Sequence, residues 1–269
     1  MKKKFITYGS NAFIESSKRI IEEAKSLEIF DEFIRYSEEN LPSSIKNSPL
    51  FLSKKGGGYW LWKPFVIYNA LIKSNEGDMI TYVDCGSKIF KSSSWLKYFE
   101  TLESKNAVFF QYRDDFDYGW NKFCERFADS PKLKHWIKKS AIDEFTPIFN
   151  SENDWLEKNK LWAGFLILKN CKETRDMIGD WLNTMLYKPH LAYDLLLSER
   201  ESQKDFFSEN RYDQTILTIA VRYYEKFGNL LILNEEAEQE YKNQAVRATR
   251  KADSLPPKNI FQKILNRLK

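Results

Sequence analysis

Apolar and polar positions along this chain switch repeatedly between two periods. Residues 4–8 read as a short strand. From Ala12 to Leu27 the apolar side chains Phe13, Ile20, Ile21, Ala24 and Leu27 approximate one face of a helix. Residues 29–36 form a second candidate strand, and residues 42–55 are polar and broken, so a loop is expected there. Pro64 suits the first turn of a helix running to about Lys73. Asp78 to Asp84 is the clearest central strand, followed by a helix over 92–102 and a strand over 107–111. Residues 120–158 are helical in pattern but interrupted by Pro131 and Pro147. A strand over 161–168, helices over 174–186 and 212–227, and a closing strand over 230–233 complete the series. Strands alternating with helices predict an α/β protein: a mostly parallel central sheet flanked by helices.

Composition narrows the class. At 42% hydrophobic and 30% charged residues the chain is an ordinary folded protein, but its aromatic content is high, with 20 Phe, 14 Tyr and 8 Trp. Most of these rings belong in a core, and some are available to line a groove. No stretch reaches the ~18–20 apolar residues that cross a bilayer. The basic start, Met1 to Lys4, precedes too short an apolar run for a signal peptide, so a cytoplasmic location is expected. Cys85, Cys124 and Cys171 are odd in number and widely spaced, which suits a reducing compartment. With His135 and His190 they match no familiar zinc spacing, so any metal is expected to be oxygen-bound Mg²⁺ or Mn²⁺.

The net charge of +4 is unevenly held. Lys242 to Lys269 contains eight basic residues and one acidic residue, so this tail carries +7 and the other 241 residues −3. That balance opposes a nucleic-acid-binding face on the main body. Within the tail, Ile260, Phe261, Ile264, Leu265 and Leu268 share one helical face, with Lys263, Arg267 and Lys269 towards the other. The pattern suits a helix lying on the inner face of a membrane, or one docked on its own domain or a partner subunit. Residues 1–240 are accordingly expected to be one catalytic domain and 241–269 a basic amphipathic tail.

Four segments carry candidate chemistry. Asp84, in Asp84-Cys85-Gly86, ends a buried strand where open α/β sheets bind ligands; it can hold a cation or cap the next turn. Gly56-Gly57-Gly58 precedes Tyr59-Trp60-Leu61-Trp62-Lys63 and can bring backbone amides and the Lys63 charge to phosphate oxygens, or serve as a flexible turn. Asp213 and Gln214 open a long helix beside Arg211, which helix-start electrostatics alone would explain. Trp162-Ala163-Gly164 places small residues in a strand, for a close ligand or for tight packing.

In this order the segments resemble a bacterial glycosyltransferase family of the GT-A fold, of the capsule, O-antigen and lipooligosaccharide type. The likeness rests on Gly58-Tyr59-Trp60-Leu61-Trp62-Lys63-Pro64, on Gly77-Asp78 with Asp84-Cys85-Gly86, and on Arg211-Tyr212-Asp213-Gln214. Trp120-Asn121-Lys122 and Trp162-Ala163-Gly164 add to it, over a span from about Phe5 to Gly228. The resemblance implies a Rossmann-related single domain. It also implies a nucleoside-diphosphate-hexose donor, UDP for preference, and a surface glycan or lipid-linked glycan as acceptor. By that likeness Thr7, Tyr8 and Gly9 border the base. Gly56, Gly57, Gly58, Tyr59, Trp60, Lys63, Gly86, Trp162, Ala163, Gly164 and Arg211 hold the donor. Asp84 becomes the metal ligand, although Gly86 replaces the second acid of the Asp-x-Asp motif. Asp213 and Gln214 face the transferred sugar, with retention of configuration preferred. A non-catalytic nucleotide- or glycan-binding protein on the same fold is the rival reading, and it needs neither Asp84 nor Asp213.

Overall fold

The structure, a computed structural model, describes residues 1–123, 127–149 and 154–249. Six strands form the central sheet: β1 (Lys3–Tyr8), β2 (Glu32–Tyr36), β3 (Met79–Val83), β5 (Ala107–Gln111), β6 (Phe165–Lys169) and β7 (Leu230–Asn234). Their order is β2-β1-β3-β6-β5-β7. β6 runs antiparallel to both neighbours, and the other pairings are parallel. Two short strands, β4 (Ser87–Ile89) and β8 (Val246–Ala248), pair antiparallel beside it. The alternating strand–helix pattern thus gives the mostly parallel sheet it predicts.

Period-two alternation along each strand divides the core between two faces. Ile6, Ile80, Tyr82, Phe109, Leu166 and Leu168 point to one side, against helices α2 (Trp62–Ile72), α4 (Lys172–Tyr187) and α5 (Tyr212–Glu225). Phe5, Met79, Val83, Val108, Phe110 and Ile167 point to the other, against α1 (Ile14–Ser26) and α3 (Ser94–Ser104). β3 is buried along its whole length, which explains why its sequence is apolar on both faces apart from Thr81. Asp84 lies two residues beyond Tyr82, so the same alternation directs it towards the α2 and α5 face.

Several expected boundaries move. Residues 42–55 contain two helical turns, Ser43–Lys46 and Pro49–Leu52, because Ile45 and Leu50 bury into the core. The β6 ladder begins at Phe165 rather than Leu161. Before it, Leu161 bridges Gln111, the Trp162 amide donates to the Phe110 carbonyl and the Gly164 carbonyl accepts from the Asp84 amide, while the Ala163 carbonyl turns to Lys63. Residues 120–123, 133–149 and 154–157 hold short helical segments, as a helical pattern interrupted by Pro131 and Pro147 predicts. The folded chain also continues past Glu240: Ala245 and Val246 are buried, and β8 pairs with β4. Cys124 and the amphipathic stretch from Ile260 to Leu268 lie outside the described residues. Among those described, no helix is long and apolar enough to cross a membrane.

Candidate active site

A cavity of about 560 Å³ opens at the carboxyl ends of β1 and β3. That is the edge at which parallel α/β sheets take ligands, and the volume falls within the ~300–1,000 Å³ range of small-molecule sites. It is lined by Tyr8, Gly9 and the turn from Ser10 to Phe13, and by Lys54, Gly56, Gly57, Trp60 and Trp62. Asp84, Cys85, Gly86, Ser87, Trp162 and Ala248 complete the wall.

The glycine segment is a left-handed turn. Gly56, Gly57, Gly58, Tyr59 and Trp60 all have positive φ, from 50° to 97°. A Cβ at Gly56 would sit 2.3 Å from the Trp60 ring, and one at Gly58 would sit 2.8 Å from the backbone of Phe51. The turn therefore needs glycine to place Trp60 against the cavity. Trp62 donates to the Gly56 carbonyl (2.9 Å) and stacks on Tyr8 with ring centroids 4.1 Å apart, joining two of the lining segments. The amides of Gly57 and Gly58 donate to the carbonyls of Lys54 and Lys55, so they are engaged within the turn rather than offered to a phosphate.

Below the cavity lies a charge cluster. The Lys63 ammonium, on the first turn of α2, is 3.2 Å from Asp84 Oδ1, 3.4 Å from Asp213 Oδ2 and 3.3 Å from the Ala163 carbonyl oxygen. Lys63 and Asp213 are 3% and 5% exposed, whereas the Asp84 side chain keeps 36% of its surface and reaches the cavity. The Tyr82 hydroxyl donates to Asp84 Oδ1, and the Asp84 amide donates to the Gly164 carbonyl (2.8 Å). Burial works against charge on Lys63, but Asp84 and Asp213 outweigh it and raise its pKa. Burial also pushes the Asp213 carboxyl up to about 6, with Asp84 adding to the rise and Lys63 opposing it. Burial and the Asp84 carboxylate raise the Tyr82 phenol well above its usual range, which keeps it a neutral donor.

Asp213 titration gives a pH prediction. Above about pH 6 the carboxylate is ionised and grips Lys63; below it, protonation removes half of the lysine's counter-charge. Any activity of the cavity that relies on Lys63 being held by both acids should therefore rise through pH 6 and level off. A pH–rate profile of Asp213→Asn should lack that step, and an unchanged profile would detach Asp213 from the site.

The other expected site residues are distributed unevenly. Thr7 is buried beneath the cavity and donates to the Val83 carbonyl (2.8 Å). Gly58 packs on Phe51, and Tyr59 donates to Asp194 (2.8 Å). Arg211 pairs with Glu209 (3.0 Å) and lies over the Trp136 ring at 4.6 Å, outside the cavity wall. Gln214 sits on the first turn of α5 and Asp213 faces Lys63; neither lines the cavity. Sequence reasoning missed Tyr82, although its place two residues before Asp84 on one sheet face was a usable signal. It also missed Lys54 and Ala248, for which no local pattern exists.

The donor set does not fit a resident divalent ion. Gly86, two residues after Asp84, supplies no side-chain ligand. Both Asp84 oxygens already face Lys63, one of them also accepting from Tyr82. No group of three His, Cys, Asp or Glu among the described residues is placed to hold a metal. At 4 Å and an effective dielectric of ~20, a divalent ion and an ammonium would repel by about 8 kcal/mol.

No protein-family model matches this chain, and no curated protein matches it in sequence. Solved structures similar to it include the apo form of the bifunctional glycosyltransferase WbbM, at 8% identity and a TM-score of 0.43. That match covers 86% of this chain but 38% of the other, so the chain spans less than half the length of that protein. Mouse xyloside xylosyltransferase 1 is similar at 9% identity and a TM-score of 0.42, covering 87% of this chain and 85% of that one. The galactosyltransferase LgtC, solved with donor and acceptor sugar analogues, is similar at 12% identity and 0.36, covering 85% and 72%.

Proposed function

We propose that this protein is a glycosyltransferase that moves a hexose from a nucleoside diphosphate, UDP for preference, to a glycan acceptor. The observation that carries the reading is the sheet-end cavity itself. An aromatic and small-residue segment (Tyr8 to Phe13) suits a base and ribose, while Asp84 on its floor is tied to a buried cation. In this reading the base lies by Gly9 and Asn11, and the diphosphate lies near Lys54 and the Gly56–Gly57 turn. Transfer builds negative charge on the departing diphosphate, and fixed positive groups beside it lower the barrier most. Lys54 supplies such a charge on the wall. Lys63 supplies another beneath the floor and holds Asp84 in one orientation towards the sugar. Asp213 acts through Lys63, so its place in the mechanism is positioning. Holding donor and acceptor together supplies much of the remaining rate.

A panel of nucleotide sugars tests this directly. The true donor at 100 times its Kd should add about 2.7 kcal/mol of stability. For a chain of this size that is a rise of roughly 5–10 °C in Tm. The same donor should be hydrolysed slowly to free nucleotide without acceptor, which a non-catalytic binding protein would not do. No thermal shift with any nucleotide or nucleotide sugar would overturn the reading.

A further inference from the structure

We infer that the Lys63 ammonium is the resident cation of this site, standing where a divalent ion would otherwise join Asp84 to Asp213, and that the nucleotide binds without such an ion. The inference rests on the nucleotide-sugar reading for the identity of the ligand, but its geometric basis is separate. Lys63 donates to Asp84 and to the Ala163 carbonyl oxygen and forms an ion pair with Asp213 Oδ2 at 3.4 Å, so one ammonium faces both carboxylates. Its position is fixed from several directions. It sits on the first turn of α2, next to Trp62, whose ring is clamped between Tyr8 and the Gly56 carbonyl. A divalent ion needs oxygens at about 2.0–2.6 Å and usually keeps several waters. Here the Asp213 carboxylate is buried against the lysine, and the Asp84 carboxylate is shared between that lysine and Tyr82. An ammonium asks less of the site, because two hydrogen bonds and one further ion pair hold it here and its covalent tether keeps it from leaving with the product. Gly86 offers no second acid beside Asp84, and a buried lysine stands between Asp84 and Asp213.

The test uses the full chain and Mn²⁺ alone, with free Mn²⁺ followed by electron paramagnetic resonance. Wild-type protein should show no saturable Mn²⁺ binding that depends on Asp84. Lys63→Met should vacate the position between the two acids and bind Mn²⁺ roughly tenfold more tightly or better. Adding Asp84→Asn to that variant should remove the gain. Saturable binding to wild type that Asp84→Asn abolishes would overturn the assignment, and this comparison stands even if Lys63→Met does not fold. In a second measurement, the rise in Tm caused by UDP should be equal in EDTA and in Mn²⁺. A rise that requires Mn²⁺ would also overturn the assignment. No UDP effect in either medium would count against the nucleotide reading, and the Mn²⁺ titration would still decide the role of Lys63.

Discussion

Asp84→Asn should lower kcat for sugar transfer roughly 10²–10³-fold, the scale lost when one preorganised electrostatic group is removed from a transition state. The protein should stay folded for a specific reason. Asparagine keeps the shape and can still accept from Tyr82, while Asp213 remains 3.4 Å from Lys63, so the buried ammonium does not lose all of its counter-charge. Circular dichroism and thermal unfolding should therefore show a cooperative transition alongside the lost turnover. Near-normal kcat would remove Asp84 from the reaction. A collapsed transition would instead show that Asp213 alone cannot hold Lys63 in place.

Gly58→Ala should destabilise the protein by about 2–5 kcal/mol, combining a forced left-handed backbone with a steric clash. In a domain of this length that is a fall of roughly 5–15 °C in Tm. The clash is with main chain, the Cα of Phe51 at 2.8 Å, so no side-chain rotation relieves it. Gly57→Ala is the internal control. Its φ is also positive, at 60°, but the nearest atom to an added Cβ is the Trp62 indole nitrogen at 3.6 Å, an ordinary contact. That variant should lose only the ~1–2 kcal/mol of conformational strain. Equal losses in the two would mean that the turn rearranges rather than clashes.

Much of the architecture was legible because burial imposes itself on short windows. β5 matches its expected span, and β1 and β3 fall within one residue at each end, since each is a dense run of apolar side chains bounded by polar turns. Asp84, the first two glycines of the triplet, Trp60 and Trp162 line one cavity, as their places at strand ends and turns suggested. What stayed hidden depends on partners far along the chain. Val246-Arg247-Ala248 is too short to announce itself and becomes a strand only beside Ser87–Ile89. A lysine in a helix's first turn reads as solvent-exposed. Lys63 is buried because Asp84 and Asp213 arrive from β3 and α5 to compensate it, and no local periodicity encodes that meeting. The early end of the expected β6 was misplaced for a related reason: Leu161 and Trp162 still pair with Gln111 and Phe110, but the Ala163 carbonyl turns to Lys63 and interrupts the ladder.

The β4–β8 pair ties the cavity to a distant part of the sequence. Ala248 forms part of its wall, and the Thr249 hydroxyl donates to the Gly86 carbonyl (2.5 Å), two residues from Asp84. Any ligand that presses on Gly86 and Ala248 together must therefore resist fraying of that strand pair. By reciprocity, loosening the pair weakens the ligand's hold by the same factor. Amide exchange at Val246 and Arg247 becomes a remote gauge of occupancy, readable without following any reaction.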